Sequence, residues 1–69
     1  MSLDRLLNSH GHVHRFVVTS DLTGWEVREE EDFAVLQRTH REDWHRVERD
    51  ILLFQIRATA LIGQGWIET

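Results

Sequence analysis

Three histidines near the start of the chain form the pattern that most resembles a metal site. The stretch reads His10-Gly11-His12-Val13-His14. Residues two apart point to the same face of a β-strand, so an extended segment would hold the three imidazoles in a row. Imidazole is a common ligand of zinc, copper and nickel. A metal- or small-ligand-binding protein that uses His10, His12 and His14 is therefore one functional hypothesis.

Other features of the sequence favour three solvated histidines without a cofactor. No Asp or Glu lies at matching local spacing to orient the rings, and Gly11 can interrupt a strand. Structural zinc sites usually draw four ligands from closed motifs. The other two histidines, His40 and His45, are five residues apart and therefore lie on different faces of a helix, unlike the pair in H-E-x-x-H. Zinc or another transition metal is the only cofactor that the sequence suggests.

The sequence also argues against catalysis by a single chain. It has no cysteine, and it lacks a nucleophile elbow, a P-loop and a dinucleotide-binding fingerprint. A chain of 69 residues rarely encloses a pocket of several hundred Å³ that could hold a substrate. We therefore predict that the protein is not an enzyme.

Composition limits the partners of the protein. The 69 residues carry 12 acidic and 8 basic side chains, a formal net charge of −4. Nucleic-acid binding is therefore unlikely, because affinity for the phosphate backbone comes mainly from Lys and Arg. No apolar run approaches the ~20 residues that cross a bilayer, and no targeting segment is recognisable. We expect a soluble, acidic, cytoplasmic protein with a single domain over residues 1–69, without a membrane partner.

Local patterns predict an α+β fold. Leu3, Leu6 and Leu7 fit one face of a short N-terminal helical segment over residues 2–8. Three strands follow, over residues 12–19, 25–30 and 33–39, and the acidic run of residues 26–32 is expected at a solvated hairpin tip. Thr39 and Glu42 fit a capping box, which predicts a helix over residues 40–62. The predicted fold is a three-stranded antiparallel β-meander packed against one long C-terminal α-helix, with the short N-terminal helical segment.

The predicted helix has two apolar faces. Its main stripe recurs at spacings of three and four and contains Trp44, Val47, Ile51, Phe54, Ala58 and Leu61. The opposite face is also apolar in the second half of the helix, where it holds Leu52, Leu53, Ile56 and Ala60. A three-stranded sheet covers only one side of such a helix, so another surface must cover the second.

Two candidates could cover the back of the helix. One is the N-terminal segment, through Leu3, Leu6 and Leu7, and the other is a second copy of the chain packed across a two-fold axis. Small domains bury few apolar side chains, and many of them gain further burial by forming oligomers. We therefore predict a protein-interaction module that forms a homodimer, with Leu52, Leu53, Ile56 and Ala60 in the interface. Another protein is a further possible partner.

Overall fold

The structure is a computed structural model that describes the backbone of residues 2–69 and the side chains of residues 3–69. In chain order, the elements are β1 (Ser2–Ser9), β2 (His12–Asp21), β3 (Gly24–Glu31), β4 (Ala34–Arg41), α1 (Trp44–Gly63) and β5 (Ile67–Glu68). The strands form one antiparallel sheet in the order β4-β3-β2-β1-β5. The α+β class agrees with the prediction, but the three-stranded meander is wrong because the described sheet has five strands.

The predicted N-terminal helical segment is also wrong, since those residues form β1. Its spacing of Leu3, Leu6 and Leu7 suits a helix, yet so short a helix gains little stability by itself. As a strand, β1 pairs with β2 along its whole length, from Ser2↔Thr19 to Ser9↔His12. The connecting residues His10 and Gly11 both have positive φ, as a two-residue type I′ hairpin turn requires.

The acidic run lies mainly within a strand rather than at a hairpin tip. β3 contains every residue from Glu26 to Glu31, and only Asp32 and Phe33 form the turn to β4. β4 pairs with β3 through Trp25↔Arg41 at one end and Glu31↔Ala34 at the other, with a β-bulge near the middle. The bulge, between Glu29 and Glu30 in the register, interrupts the regular alternation of β4 side chains between the two faces of the sheet.

The helix begins later than predicted. Thr39 belongs to β4, and Asp43 is the N-cap of α1, where its side chain accepts a hydrogen bond from the backbone N–H of His45 at 2.9 Å. Asp caps a helix as well as Thr does, and here it does so four residues after the predicted start at Thr39. Pairing with β3 extends β4 through Arg41 and excludes the earlier one.

The core lies between α1 and one face of the sheet. It contains Leu7, Phe16, Val18, Val27, Val47, Phe54 and Ala58, flanked by the partly buried Leu3, Trp25, Trp44, Ile51 and Trp66. The rings of Phe16 and Phe54 stack at 4.5 Å between centroids, and those of Trp25 and Trp44 meet at 5.3 Å with a tilt of 53°. The predicted main stripe of the helix therefore faces the sheet.

A close backbone approach at Gly24 gives a stability prediction. Gly24 has φ +145°, and a Cβ there would lie 2.3 Å from the carbonyl oxygen of Arg41. We expect Gly24→Ala to lower the free energy of unfolding by about 1–3 kcal/mol. Gly63→Ala is the matched control: a Cβ on this helical residue meets nothing within 4 Å, and Ala favours a helix. Urea denaturation should separate the two variants, and equal midpoints would contradict the prediction.

Candidate functional site

The back of α1 carries the predicted interface residues as an open apolar surface. Leu52, Leu53 and Ile56 are 56%, 50% and 60% exposed, and Ala60 is also exposed. Directly beneath them, Val47, Phe54 and Ala58 are buried against the sheet. We call the surface of Leu52, Leu53, Ile56 and Ala60 the back face. Contiguous apolar surface of this kind is typical of an interaction site.

The N-terminal segment does not cover the back face. Leu7 is fully buried in the core, and Leu3 packs against the same core, so both lie beneath α1 on the helix side of the sheet. Leu6 follows the alternation of β1 and points to the opposite side of the sheet. The N-terminal segment is therefore wrong as the predicted covering of the back face.

The structure places the three histidines of the predicted metal row in different environments. His10 lies in the β1–β2 turn, and the exposed His12 ring has its Nδ1 3.2 Å from the Oδ2 of Asp32. His14 is mostly buried and stacks on Phe54 at 6.0 Å between centroids. Within residues 2–69, no three His, Asp or Glu side chains lie close enough together to hold a metal ion. The metal hypothesis therefore stays a prediction.

A buried carboxylate, which the sequence analysis missed, lies on the helix side of the sheet. The Glu29 side chain is 11% exposed and accepts two hydrogen bonds from the Arg57 guanidinium, that from Nη1 at 2.9 Å. The Nε2 atom of His14 lies 3.5 Å from its Oε2 atom. The alternation Trp25, Val27, Glu29 could have revealed this position, because every second residue of β3 points toward the core.

Arg57 and Arg5 also enclose the central aromatic residue of the core. Their guanidinium carbons lie 6.0 and 5.4 Å from the centroid of the Phe54 ring. Arg5 is held in place by Glu68 of β5, with both hydrogen bonds at 2.6 Å. These contacts stabilise the helix on the sheet, so we assign Glu29 and Arg57 a structural role.

The far side of the sheet carries a balanced set of charges. Arg28 donates to Glu30 at 2.7 Å and to Glu26 at 3.2 Å, and Arg15 donates to Asp4 at 2.9 Å. Val17 is buried in the same surface, where arginine stems can cover an apolar side chain. Because acids and bases alternate and pair here, this surface is not a basic patch for nucleic acid.

A second group of arginines lies near the start of α1. Arg41 donates two hydrogen bonds to Asp50, at 3.0 and 3.3 Å, across a groove of about 180 Å³ between α1 and β4. Arg46 and Arg49 are exposed on α1, and the side chain of neither forms a hydrogen bond or an ion pair with a described residue. Arg49 lies one turn before Leu53, at the rim of the back face.

Two ion pairs between strands lower the pKa values of their carboxyl groups. The hydrogen bond from Arg15 holds the pKa of Asp4 below its ordinary value. The hydrogen bond from Arg5 does the same for the pKa of Glu68. Each pair ties β1 to a neighbouring strand, β2 in the first case and β5 in the second.

Hydrogen bonds also lower the pKa values of two carboxyl groups at the hairpin turns. The Thr23 hydroxyl and backbone N–H both donate to Asp21, which lowers the pKa of that carboxyl group. The backbone N–H of Val13 donates to Asp32 at 2.9 Å and lowers the pKa of Asp32. The first contact joins the β2–β3 turn to β2, and the second joins the β3–β4 turn to the neighbouring strand β2.

The four lowered pKa values predict a loss of stability in acid. A carboxyl group with a lower pKa in the folded state stabilises that state above its unfolded pKa, and this contribution disappears as pH falls through the folded value. The free energy of unfolding should therefore fall between about pH 5 and pH 2. Urea denaturation across this range would measure the fall, and Asp32→Asn should reduce its slope. Constant stability down to pH 3 would contradict the prediction.

Comparison with known proteins adds no relative from which a role could be transferred. No family model, no curated protein and no solved structure matches this chain. In the part of the chain that the structure describes, α1 is too polar to qualify as a membrane-crossing helix, and no other helix is present.

Proposed function

We propose that this protein is a small interaction module that forms a homodimer through the back face of α1. The observation that carries the proposal is the exposure of Leu52, Leu53 and Ile56, each at least half accessible on one helix. Complete burial of such a side chain stabilises by about 1.5–3 kcal/mol. A second copy that covers all three would therefore add buried apolar surface to the small core of this chain.

The sizes of the side chains favour an antiparallel helix pair centred on Ile56. Leu53 and Leu52 lie three and four residues before Ile56, whereas Thr59 and Ala60 lie three and four residues after it. A two-fold axis at Ile56 places the large residues of one helix opposite the small residues of the other. Such an arrangement interdigitates well, whereas a parallel pair would set Leu against Leu and Ala against Ala.

Charge supports the same orientation. The last turn of α1 has no basic residue, although the end of a helix carries partial negative charge that a cation stabilises. Arg49 lies seven residues before Ile56, and Gly63 lies seven residues after it, so each is about 10.5 Å from the crossing point. In the antiparallel pair, Arg49 of one protomer lies beside the C-terminal end of the partner helix.

The mass of the protein in solution tests the proposal. Analytical ultracentrifugation at micromolar concentration should give a species of twice the 8.2 kDa chain mass. A single species at 8.2 kDa over the whole concentration range would overturn the homodimer.

Disulfide cross-linking tests the orientation, because the natural chain contains no cysteine. Ile56→Cys should cross-link to its own copy under mild oxidation, and a mixture of Leu52→Cys with Ala60→Cys should give the mixed disulfide. Leu22→Cys, at the fully exposed β2–β3 turn, is the control that should stay mainly uncrosslinked. Preferential cross-linking of Leu52→Cys to itself would indicate a parallel pair instead.

A further inference from the structure

The outer edge of β4 is an open strand edge on the side of the molecule away from β5. β4 is the end strand of the described sheet, so its second edge has no neighbouring strand among residues 2–69. The opposite edge of the sheet is partly covered, because β5 pairs with Leu7 and Asn8 of β1. An uncovered edge presents backbone N–H and C=O groups that can bind an added strand.

The charge of β4 defines which strand would fit. β4 carries Arg38, His40 and Arg41 and no acidic residue, although the whole chain has a net charge of −4. Its inner neighbour β3 carries four glutamates. Arg41 already donates to Asp50, and the Nε2 atom of His40 lies 2.9 Å from the Thr23 hydroxyl and 3.8 Å from the Asp21 Oδ1 atom. Arg38 is therefore the cation of β4 that an added acidic strand would contact.

Arg38 is the position where an acidic neighbour would contribute most. It lies directly opposite Arg28 in the register of β3 and β4, and like charges at opposed positions destabilise a sheet. Arg28 is already satisfied by Glu26 and Glu30, whereas Arg38 has only Glu26, with 3.5 Å between its Nε atom and the Glu26 Oε1 atom. The Arg38 side chain is 58% exposed. A carboxylate on an added strand would neutralise it.

The first part of the same edge is apolar. Val35 and Leu36 are about half exposed, and Phe33 in the preceding turn is 75% exposed. Phe33 has φ +67°, a left-handed conformation that a bulky residue rarely adopts. The edge of β4 therefore joins an exposed apolar segment to a basic one within eight residues.

We propose that the β4 edge binds an extended segment of another protein, aliphatic in one half and acidic in the other, as an added strand of the sheet. Backbone hydrogen bonds supply affinity in such strand addition, and the side chains supply specificity. The half of the edge that contains Arg38 selects acidic residues, and the half that contains Val35 and Leu36 selects aliphatic ones. This surface lies on the sheet edge rather than on the back face, so the proposal does not depend on the homodimer.

A synthetic peptide tests the proposal directly. The probe is a blocked eight-residue peptide of four Val followed by four Glu, compared with one of four Val followed by four Lys by isothermal titration calorimetry at low salt. The Glu peptide should bind at least about tenfold more tightly, a difference of about 1.4 kcal/mol. Methylation of alternate backbone nitrogens on the edge-facing side of the peptide should abolish binding, because it removes the donors that pair with the strand edge.

Arg38→Glu is the decisive variant. It places a carboxylate opposite Arg28, which the folded sheet tolerates, and should weaken binding of the Glu peptide about tenfold or more. Arg15→Glu makes the same charge change on β2, two strands away from the edge, and should leave binding unchanged. Equal affinity for the Glu and Lys peptides, or no effect of Arg38→Glu, would overturn the proposal.

The same measurements in the Ile56→Asp background separate this surface from the back face. Binding of the Glu peptide should persist there at unchanged affinity. If the Ile56→Asp protein instead self-associates and Arg38→Glu suppresses that association, the edge pairs with a second copy, and the proposed acidic partner is wrong. Arg38-dependent binding of a single-stranded oligonucleotide in place of the peptide would likewise overturn it.

Discussion

An Ile56→Asp variant should sediment as the 8.2 kDa chain at concentrations where the natural protein is dimeric. Ile56 lies at the centre of the back face, so the antiparallel pair would bury two aspartates against each other. Burial of unpaired charge is costly, and we expect the dissociation constant of the dimer to rise by at least about 100-fold. Far-UV circular dichroism should keep its helix and strand signals, because Ile56 is 60% exposed within one protomer.

Leu22→Asp provides the matched control for this variant. Leu22 is also an aliphatic residue, fully exposed in the β2–β3 turn and far from the back face along the chain. It should leave the dimer mass unchanged. If Ile56→Asp remains dimeric, the two copies meet through another surface. If it loses all helical signal, Ile56 contributes to the fold of the single chain, and the proposed interface is wrong.

Arg57→Ala should lower the free energy of unfolding by about 1–3 kcal/mol. The change removes both hydrogen bonds to Glu29 and leaves this buried carboxylate with only His14 nearby, its Nε2 atom 3.5 Å away. Such a loss is a large share of the stability of a small domain. Urea denaturation would measure it as a lower midpoint with an unchanged slope, since the surface exposed on unfolding stays similar.

A second substitution distinguishes loss of an ion pair from loss of packing. Adding Glu29→Gln to Arg57→Ala should recover part of the stability, because the double variant no longer buries a charge without its partner. Arg46→Ala is the surface control and should change stability by no more than about 0.5 kcal/mol. If the double variant is less stable than Arg57→Ala alone, the effect of Arg57 comes mainly from its contact with the Phe54 ring.

Regular patterns in the longer elements were enough to predict much of the fold. The helix stripe that contains Val47, Phe54 and Ala58 faces the core as predicted. In β3, Trp25, Val27 and Glu29 alternate with Glu26, Arg28 and Glu30, and Val27 is buried in the core. Periodicity identifies such elements because a long helix or a half-buried strand repeats its pattern several times.

The errors fall where a short segment fits two patterns. Leu3, Leu6 and Leu7 match one turn of helix, but only pairing with β2 makes these residues a strand. Glu29 belongs to an acidic run that suggests a solvated turn, yet Arg57, 28 residues away in the chain, provides the partner that permits its burial. Neither partner can be read from the local sequence.

The amino-acid sequence by itself determined the long amphipathic helix, its second apolar face and the acidic balance of the chain, because these properties depend on composition and short-range spacing. Only the tertiary structure decided the five-stranded order, the burial of Glu29 and the openness of the β4 edge. Each of these depends on contacts between residues far apart in the chain. Strand pairing under α1 also decided that the N-terminal leucines lie beneath the helix, which leaves Leu52, Leu53 and Ile56 exposed for a second molecule.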